Sequence, residues 1–124
     1  MSDTVASFAA FAVPLGGRGL DPWPVTTEQL DGSEMFGRVL WRSADGTRAI
    51  GVWHATPGVI RGEFLTDEVS YVAEGRLSVA ADGGVREVGT GDVMVMTAGA
   101  VVEWTIHEPM TKLWNVYAAS GLPF

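Results

Sequence analysis

The feature that most constrains the fold is a regular alternation of short β-type runs and turn signals from Glu34 onward. The run Met35–Arg42 is followed by Ala44-Asp45-Gly46, and the run 76–81 by Asp82-Gly83-Gly84, which is a strong hairpin signal. Short strands at this spacing, with no long amphipathic helix, predict an antiparallel sandwich or barrel. The other predicted strands span residues 49–56, 61–65, 69–74, 85–88, 93–96, 101–107 and 112–118, with Glu108-Pro109 separating the last two.

The length of the chain, 124 residues, fits one domain. Residues 1–33 are predicted to form an irregular N-terminal arm, because Pro14, Pro22 and Pro24 interrupt any long helix or strand there. Residues 34–124 are predicted to form a barrel. The apolar run 5–13 is too short to span a bilayer and is not preceded by a basic residue, so we expect the arm to pack on the body or on a partner subunit.

Charge and cysteine content exclude several classes of partner and site. The formal net charge is −7 and the 8 Lys and Arg residues form no cluster, so the basic footprint that nucleic acids and anionic membranes require is missing. The chain has no Cys, which excludes disulfides and thiolate metal sites and is compatible with a cytoplasmic location. We therefore expect a cytoplasmic protein whose partner is a small molecule, with neither nucleic acid nor membrane as a ligand.

Two glycine-centred segments resemble the paired motifs of the cupins. Glu68 and Gly75 have the spacing that the N-terminal cupin motif shows in its second half. This segment ends in the letters YVAEG. In the second, Gly91 and Gly99 fit the frame of the other motif. The resemblance covers residues 48–118 and implies an all-β fold, a single cupin-type jelly-roll β-barrel.

The histidines that ordinary cupins carry in these motifs are absent. In an ordinary cupin, three imidazoles and the motif glutamate hold a divalent transition metal. Of these four ligands, only Glu68 remains here. The first two histidine positions fall on Arg61 and Glu63 with one spacing and on Gly62 and Phe64 with the other, the third falls on Val102, and the motif asparagine falls on Ile106.

A finer resemblance is to the cupin subfamily related to (S)-ureidoglycine aminohydrolase. The named enzyme is a manganese-dependent hydrolase with two cupin repeats, whereas this chain has one. The resemblance implies a metal-dependent C–N hydrolase that acts on a small nitrogenous or carboxylated metabolite. The residues that fit the outline of this subfamily are Trp53, Pro57, Gly58, Arg61, Tyr71, Glu74, Gly75, Trp104 and Trp114.

Four residues are candidates for the polar part of a site. Glu68 and Glu63 are predicted to act in catalysis as general bases or, together with His54, as metal ligands. Arg61 would bind a substrate carboxylate, because a guanidinium binds carboxylates in bidentate fashion and repels a cation. The alternatives are structural: Glu68 pairs with Arg61, Arg61 and Glu63 form a surface salt bridge, and His54 is a half-buried polar residue.

Aromatic residues supply the rest of the predicted substrate site. Trp53, Trp104 and Tyr71 are candidates to contact the substrate, together with His54 and Arg61. The alternative is that the tryptophans belong to the core or to a dimer interface. Strand alternation predicts that Tyr71 lies on the face opposite Glu68, which favours packing for that residue.

Three functional hypotheses follow. The first is a hydrolase that uses a divalent metal (Mn, Ni, Fe or Zn) held by Glu68, Glu63 and His54. The second is a metal-free module that binds a small polar ligand without catalysis. In the third, side chains fill the barrel and the protein acts through its dimer surface. In each case we expect a homodimer, since the arm and the Trp-rich strands are natural dimer contacts.

Overall fold

The computed structural model describes residues 20–23 and 29–124, and within these residues the fold is a single curled antiparallel sheet without helices. The all-β prediction is therefore confirmed. No helix in these ranges is long and apolar enough to cross a membrane. The nine strands are β1 (Asp21–Pro22), β2 (Gln29–Asp31), β3 (Met35–Arg42), β4 (Arg48–Ala55), β5 (Gly58–Glu63), β6 (Asp67–Ala81), β7 (Gly84–Gly89), β8 (Val93–Met96) and β9 (Val101–Tyr117).

The sheet is organised around the two longest strands, β6 and β9. One path through the sheet runs β1-β3-β4-β9-β5-β2, and β6 pairs with β7, β8 and β9. The first half of β6 pairs with the last part of β9, and its second half pairs with the first part of β9. Because β6 and β9 pair with each other along both of their halves, the sheet curls into a half-barrel, and its inner face carries the buried core.

The pairing of β6 with β9 is irregular on both sides of Gly75. Gly75 has a φ of 101°, and a Cβ there would lie 2.5 Å from the Cα of Met110 and 2.6 Å from the carbonyl oxygen of Pro109. Both the left-handed conformation and the close approach of β9 require glycine.

The expected breaks within two of these strands are wrong. The sequence predicted separate strands over 69–74 and 76–81 and again over 101–107 and 112–118, whereas each pair is one continuous strand. Pro109 is tolerated because it lies in the irregular stretch between the Arg76–Glu108 and Glu74–Thr111 pairs, where an N–H is not needed for the ladder. The first and second strands, β1 and β2, fall inside the predicted 1–33 arm, and the 33/34 boundary remains a prediction.

The turn between β3 and β4 is held by a carboxylate. Asp45 accepts hydrogen bonds from the hydroxyls of Ser43 and Thr47, each at 2.7 Å, and from the backbone N–H of Thr47. The Ser43 hydroxyl, followed by the two Thr47 donors, lowers the pKa of Asp45 from 3.8 to about 2. These hydrogen bonds stabilise the ionised carboxylate and with it the turn.

The outer face of β6 and β8 is apolar although it is exposed. Val69 faces Val95 across the two strands, and Tyr71 faces Val93. All four side chains are exposed, because the alternation that turns Glu68 and Ser70 inward turns these residues outward. A contiguous exposed apolar patch of this kind is typical of an interaction surface.

Candidate functional site

The half-barrel contains a cavity of about 320 Å³ on its inner face. The volume is at the lower end of the range for small-molecule pockets. Its walls are mainly apolar, and its largest side chains are those of Trp23, Trp53, Phe64, Trp104, Trp114 and Phe124. Its charged lining consists of Arg42, Glu63, Glu68 and Lys112 among the described residues.

Strand alternation explains why these residues share one face. Glu68 is buried on β6, and its outward neighbours Asp67 and Val69 are exposed. On β9, Lys112 and Trp114 have the same parity as Trp104 and are likewise buried. Lys112 is directly opposite Trp53 of β4, so the two side chains leave the sheet side by side.

The centre of the site is a buried ion pair. Lys112 donates from Nζ to Oε2 of Glu68 at 2.6 Å, and the two side chains are only 5% and 9% exposed. The same Nζ lies 4.3 Å from the ring centroid of Trp104 and 4.7 Å from that of Trp53. Since indole faces attract cations, the ammonium is stabilised by a carboxylate and by two aromatic rings.

The mouth of the cavity is lined by Phe124. Arg42 donates from Nη1 to the carbonyl oxygen of Phe124 at 2.7 Å, and its guanidinium lies 5.3 Å from the centroid of the Phe124 ring. The Phe124 ring also meets Trp23 and Trp114 edge-on, at 5.8 and 5.9 Å. These contacts fix Phe124 at the edge of the apolar wall.

The structure brings four of the sequence-predicted residues to the cavity and leaves three outside it. Glu68, Trp53 and Trp104 line its interior, and Glu63 lies exposed at its rim, at the end of β5. Arg61 lies outside the lining and donates from Nε to Oε2 of Glu103 at 2.6 Å.

The other two residues outside the cavity are His54 and Tyr71. His54 contacts Thr111, with 2.8 Å between Nδ1 and Oγ1, and Thr111 in turn donates to Glu74 at 2.6 Å. Tyr71 is exposed on the opposite face of β6 from Glu68. The assigned roles of all these residues in catalysis and binding remain predictions.

The residues at this site do not fit a divalent metal. The Glu68 carboxylate already binds the Lys112 ammonium, which would repel a second cation at the same oxygen atoms. His54, the candidate imidazole ligand, contacts Thr111 and does not line the cavity. Within the described ranges no group of three or more His, Cys, Asp or Glu side chains is placed to hold a metal ion.

Sequence reasoning missed Lys112, the partner of Glu68. A lysine on a short strand is normally expected on the exposed face. The signal that identifies it is its parity with the inward tryptophans Trp104 and Trp114 on what proves to be a single strand. The parity with Trp114 lies within the predicted strand 112–118, whereas the predicted break at Glu108-Pro109 concealed the parity with Trp104.

Comparison with known proteins agrees with the fold. Residues 42–114 match the model of the family described as the EutQ-like cupin domain. The EutQ protein of Clostridium difficile has a similar structure, with 16% identity, coverage of 71% of each chain and a TM-score of 0.63. A putative ethanolamine utilization protein Q from Salmonella typhimurium LT2 is 24% identical over 69% of this chain and 71% of that chain, with a TM-score of 0.62.

A protein of unknown function from Rhizobium leguminosarum is 26% identical, covering 67% of this chain and 80% of its own, with a TM-score of 0.60. No curated protein matches the chain. The predicted cupin-type jelly roll is confirmed by the strand arrangement and by these similar structures. With the family model covering more than half of its length, the chain belongs to the EutQ-like cupin family.

Proposed function

We propose that this protein binds a small molecule in the cavity of its barrel without a metal ion. The observation that carries the proposal is the buried pair formed by Lys112 and Glu68, with 2.6 Å between Nζ and Oε2. The glutamate that corresponds to a cupin metal ligand has a cation from within the chain. The charge of the Glu68 carboxylate is therefore neutralised by the Lys112 ammonium before any ligand enters.

The size and walls of the cavity support binding. A volume of about 320 Å³ leaves room for a ligand beside Glu68, which disfavours the hypothesis that side chains fill the barrel. Trp53 and Trp104 meet edge-to-face at 5.4 Å and 81°, so their positions are fixed by packing. A preformed aromatic cavity loses little conformational freedom when a ligand binds.

The aminohydrolase hypothesis remains a prediction with less support. A metal-dependent hydrolase would require Glu68 to release Lys112 and to be joined by further ligands. Among the described residues, no imidazole lines the cavity. The same geometry therefore favours the binding module over metal-assisted hydrolysis.

Metal analysis and ligand binding test the proposal together. The purified chain is incubated with manganese, nickel, iron and zinc salts and desalted, and we expect far less than one retained metal per chain. Acetophenone, a largely apolar compound small enough for a cavity of about 320 Å³, serves as the probe and is expected to raise the melting temperature equally with and without EDTA. Retention of about one metal per chain, or loss of the stabilisation in EDTA, would contradict the proposal.

A matched pair of variants locates the ligand. Val39 lines the cavity, whereas Val85 is exposed on β7 away from it. We expect Val39→Trp to abolish the stabilisation by acetophenone, because the indole occupies the ligand volume, and Val85→Trp to preserve it. Stabilisation that is preserved in both variants would place the ligand outside the barrel.

A further inference from the structure

The apolar outer face of β6 and β8 continues across β9, β4 and β3. Ile50 of β4 pairs with Trp41 on one side and with Asn115 of β9 on the other, and Asn115 pairs in turn with Val69 of β6. Directly opposed residues of antiparallel strands project from the same face of a sheet. One largely apolar face therefore extends over five adjacent strands, and it is the face opposite the cavity.

This outer face has the size of an interaction site. Strands lie about 4.8 Å apart and rise about 3.4 Å per residue, so five residues of each of the five strands cover roughly 400 Å² in projection. Val69, Tyr71, Val93 and Val95 are 45% to 68% exposed. Exposed apolar patches of a few hundred Å² mark surfaces that bind a partner, because their burial is favourable.

The charged side chains beside the apolar rows differ in sign on the two sides of β9. Arg38 lies on β3 and Arg48 on β4, whereas Asp67 and Glu74 lie on β6. Arg48 and Asp67 both pair with Tyr117 of β9, so they occupy one row of the sheet and flank that strand. Both are exposed, and the Arg48 guanidinium lies 5.4 Å from the centroid of the Tyr117 ring.

We propose that a second copy of this chain covers the outer face, with a two-fold axis that runs along β9. Rotation about this axis brings β4 of one copy over β6 of the other and leaves each row at the same height along the strands. Arg48 then faces the partner subunit's Asp67, and the symmetry forms this pair twice. An axis across the strands would instead bring the basic sides of the two copies together, which costs free energy.

A contact through the outer face leaves both cavities accessible. Glu68 points into the cavity, whereas its neighbours Asp67 and Val69 point to the outer face. The two cavities of the dimer therefore lie on opposite sides of the interface. The inference concerns assembly, goes beyond the proposed binding function, and stands or falls independently of it.

Charge reversals test the geometry by sedimentation equilibrium, and we expect the wild-type chain to be a dimer. Arg48→Asp and Asp67→Arg each bring like charges together twice, so each is expected to raise the dissociation constant of the dimer at least tenfold. The double variant Arg48→Asp/Asp67→Arg is expected to recover most of this loss, because both pairs form again with exchanged signs. Arg86→Asp is the matched control, since Arg86 is exposed on β7 outside this face, and the dissociation constant should stay unchanged.

A cross-link locates the axis in a protein that keeps its wild-type charges. The chain has no Cys, so an introduced thiol is unique. Asn115 is exposed on β9, where the proposed axis brings it opposite the same residue of the second copy. We expect a short bismaleimide to convert Asn115→Cys into a covalent dimer and to leave Arg86→Cys as single chains on a denaturing gel.

Three results would overturn the proposal. A wild-type chain that sediments as a monomer at high concentration would leave the outer face to a different partner. A dimer that tolerates both single charge reversals would place the contact away from Arg48 and Asp67. A dimer that cross-links through Arg86→Cys and not through Asn115→Cys would place it on another face.

Discussion

Removal of the Lys112 ammonium is expected to destabilise the fold far more than removal of a surface cation. The substitution Lys112→Met keeps an unbranched side chain beside the indoles of Trp53 and Trp104 but leaves Glu68 without its partner. Because the Glu68 side chain is only 9% exposed, its carboxylate becomes an uncompensated buried charge. Breaking a buried pair in this way costs about 3–5 kcal/mol.

The chain contains a matched control for this substitution. Arg61 and Glu103 also form an ion pair at 2.6 Å, but their side chains are 48% and 44% exposed. Arg61→Met is therefore expected to cost only about 0–1 kcal/mol, because solvent screens both charges. The two ion pairs have the same length and differ in burial, so the difference in cost isolates the contribution of desolvation.

Urea unfolding followed by far-UV circular dichroism measures both costs. A value of 3–5 kcal/mol corresponds to a fall in melting temperature of roughly 10–20 °C for a domain of this size. The double variant Glu68→Met/Lys112→Met is expected to recover most of the loss, because an apolar pair leaves no buried charge. If Lys112→Met costs no more than Arg61→Met, water reaches Glu68 and the reasoning about the site is refuted.

Three further predictions concern the scaffold. Asp45 should titrate by NMR with a pKa of about 2, and a midpoint at 3.8 would contradict this. The turn hydrogen bonds then stabilise the fold fully above pH 3.8, and this stabilisation is lost as the pH falls through 2. Gly75→Ala should reduce the free energy of unfolding by about 1–3 kcal/mol more than Gly83→Ala, because a Cβ at Gly75 clashes with β9 whereas a Cβ at Gly83 meets no atom within 4 Å. Equal costs of the two substitutions in urea unfolding would count against this clash. The predicted homodimer, if formed through the apolar outer face, should dissociate in Val95→Glu by light scattering, and an unchanged mass would exclude that face.

The sequence predicted most of the strand pattern because strands and turns have local signals. Met35–Arg42 and Val93–Met96 were predicted with the bounds that the structure shows. The Asp82-Gly83 turn has positive φ angles at both residues, 52° and 76°, as the hairpin signal requires. The cupin fold was predicted by resemblance from two paired motifs, Glu68 with Gly75 and Gly91 with Gly99.

The continuity of β6 and β9 was not predictable from local signals. Gly75 and Pro109 are both strand breakers by composition, but in the fold they lie beside each other, where the ladder is irregular. Gly75 allows the close approach of the two strands, and the irregular pairing means that Pro109 does not need to donate an N–H to the ladder. That compensation exists only between two strands and cannot be read from either one.

The amino-acid sequence alone determined an all-β chain with a cupin frame and a glutamate, Glu68, in the place of a metal ligand. Only the tertiary structure decided which cation that glutamate binds. Lys112 is 44 residues away along the chain, and its ammonium reaches Glu68 because β6 and β9 pair and both side chains face inward. A buried ion pair depends on the register of two strands and on the exclusion of water, which are properties of the folded sheet.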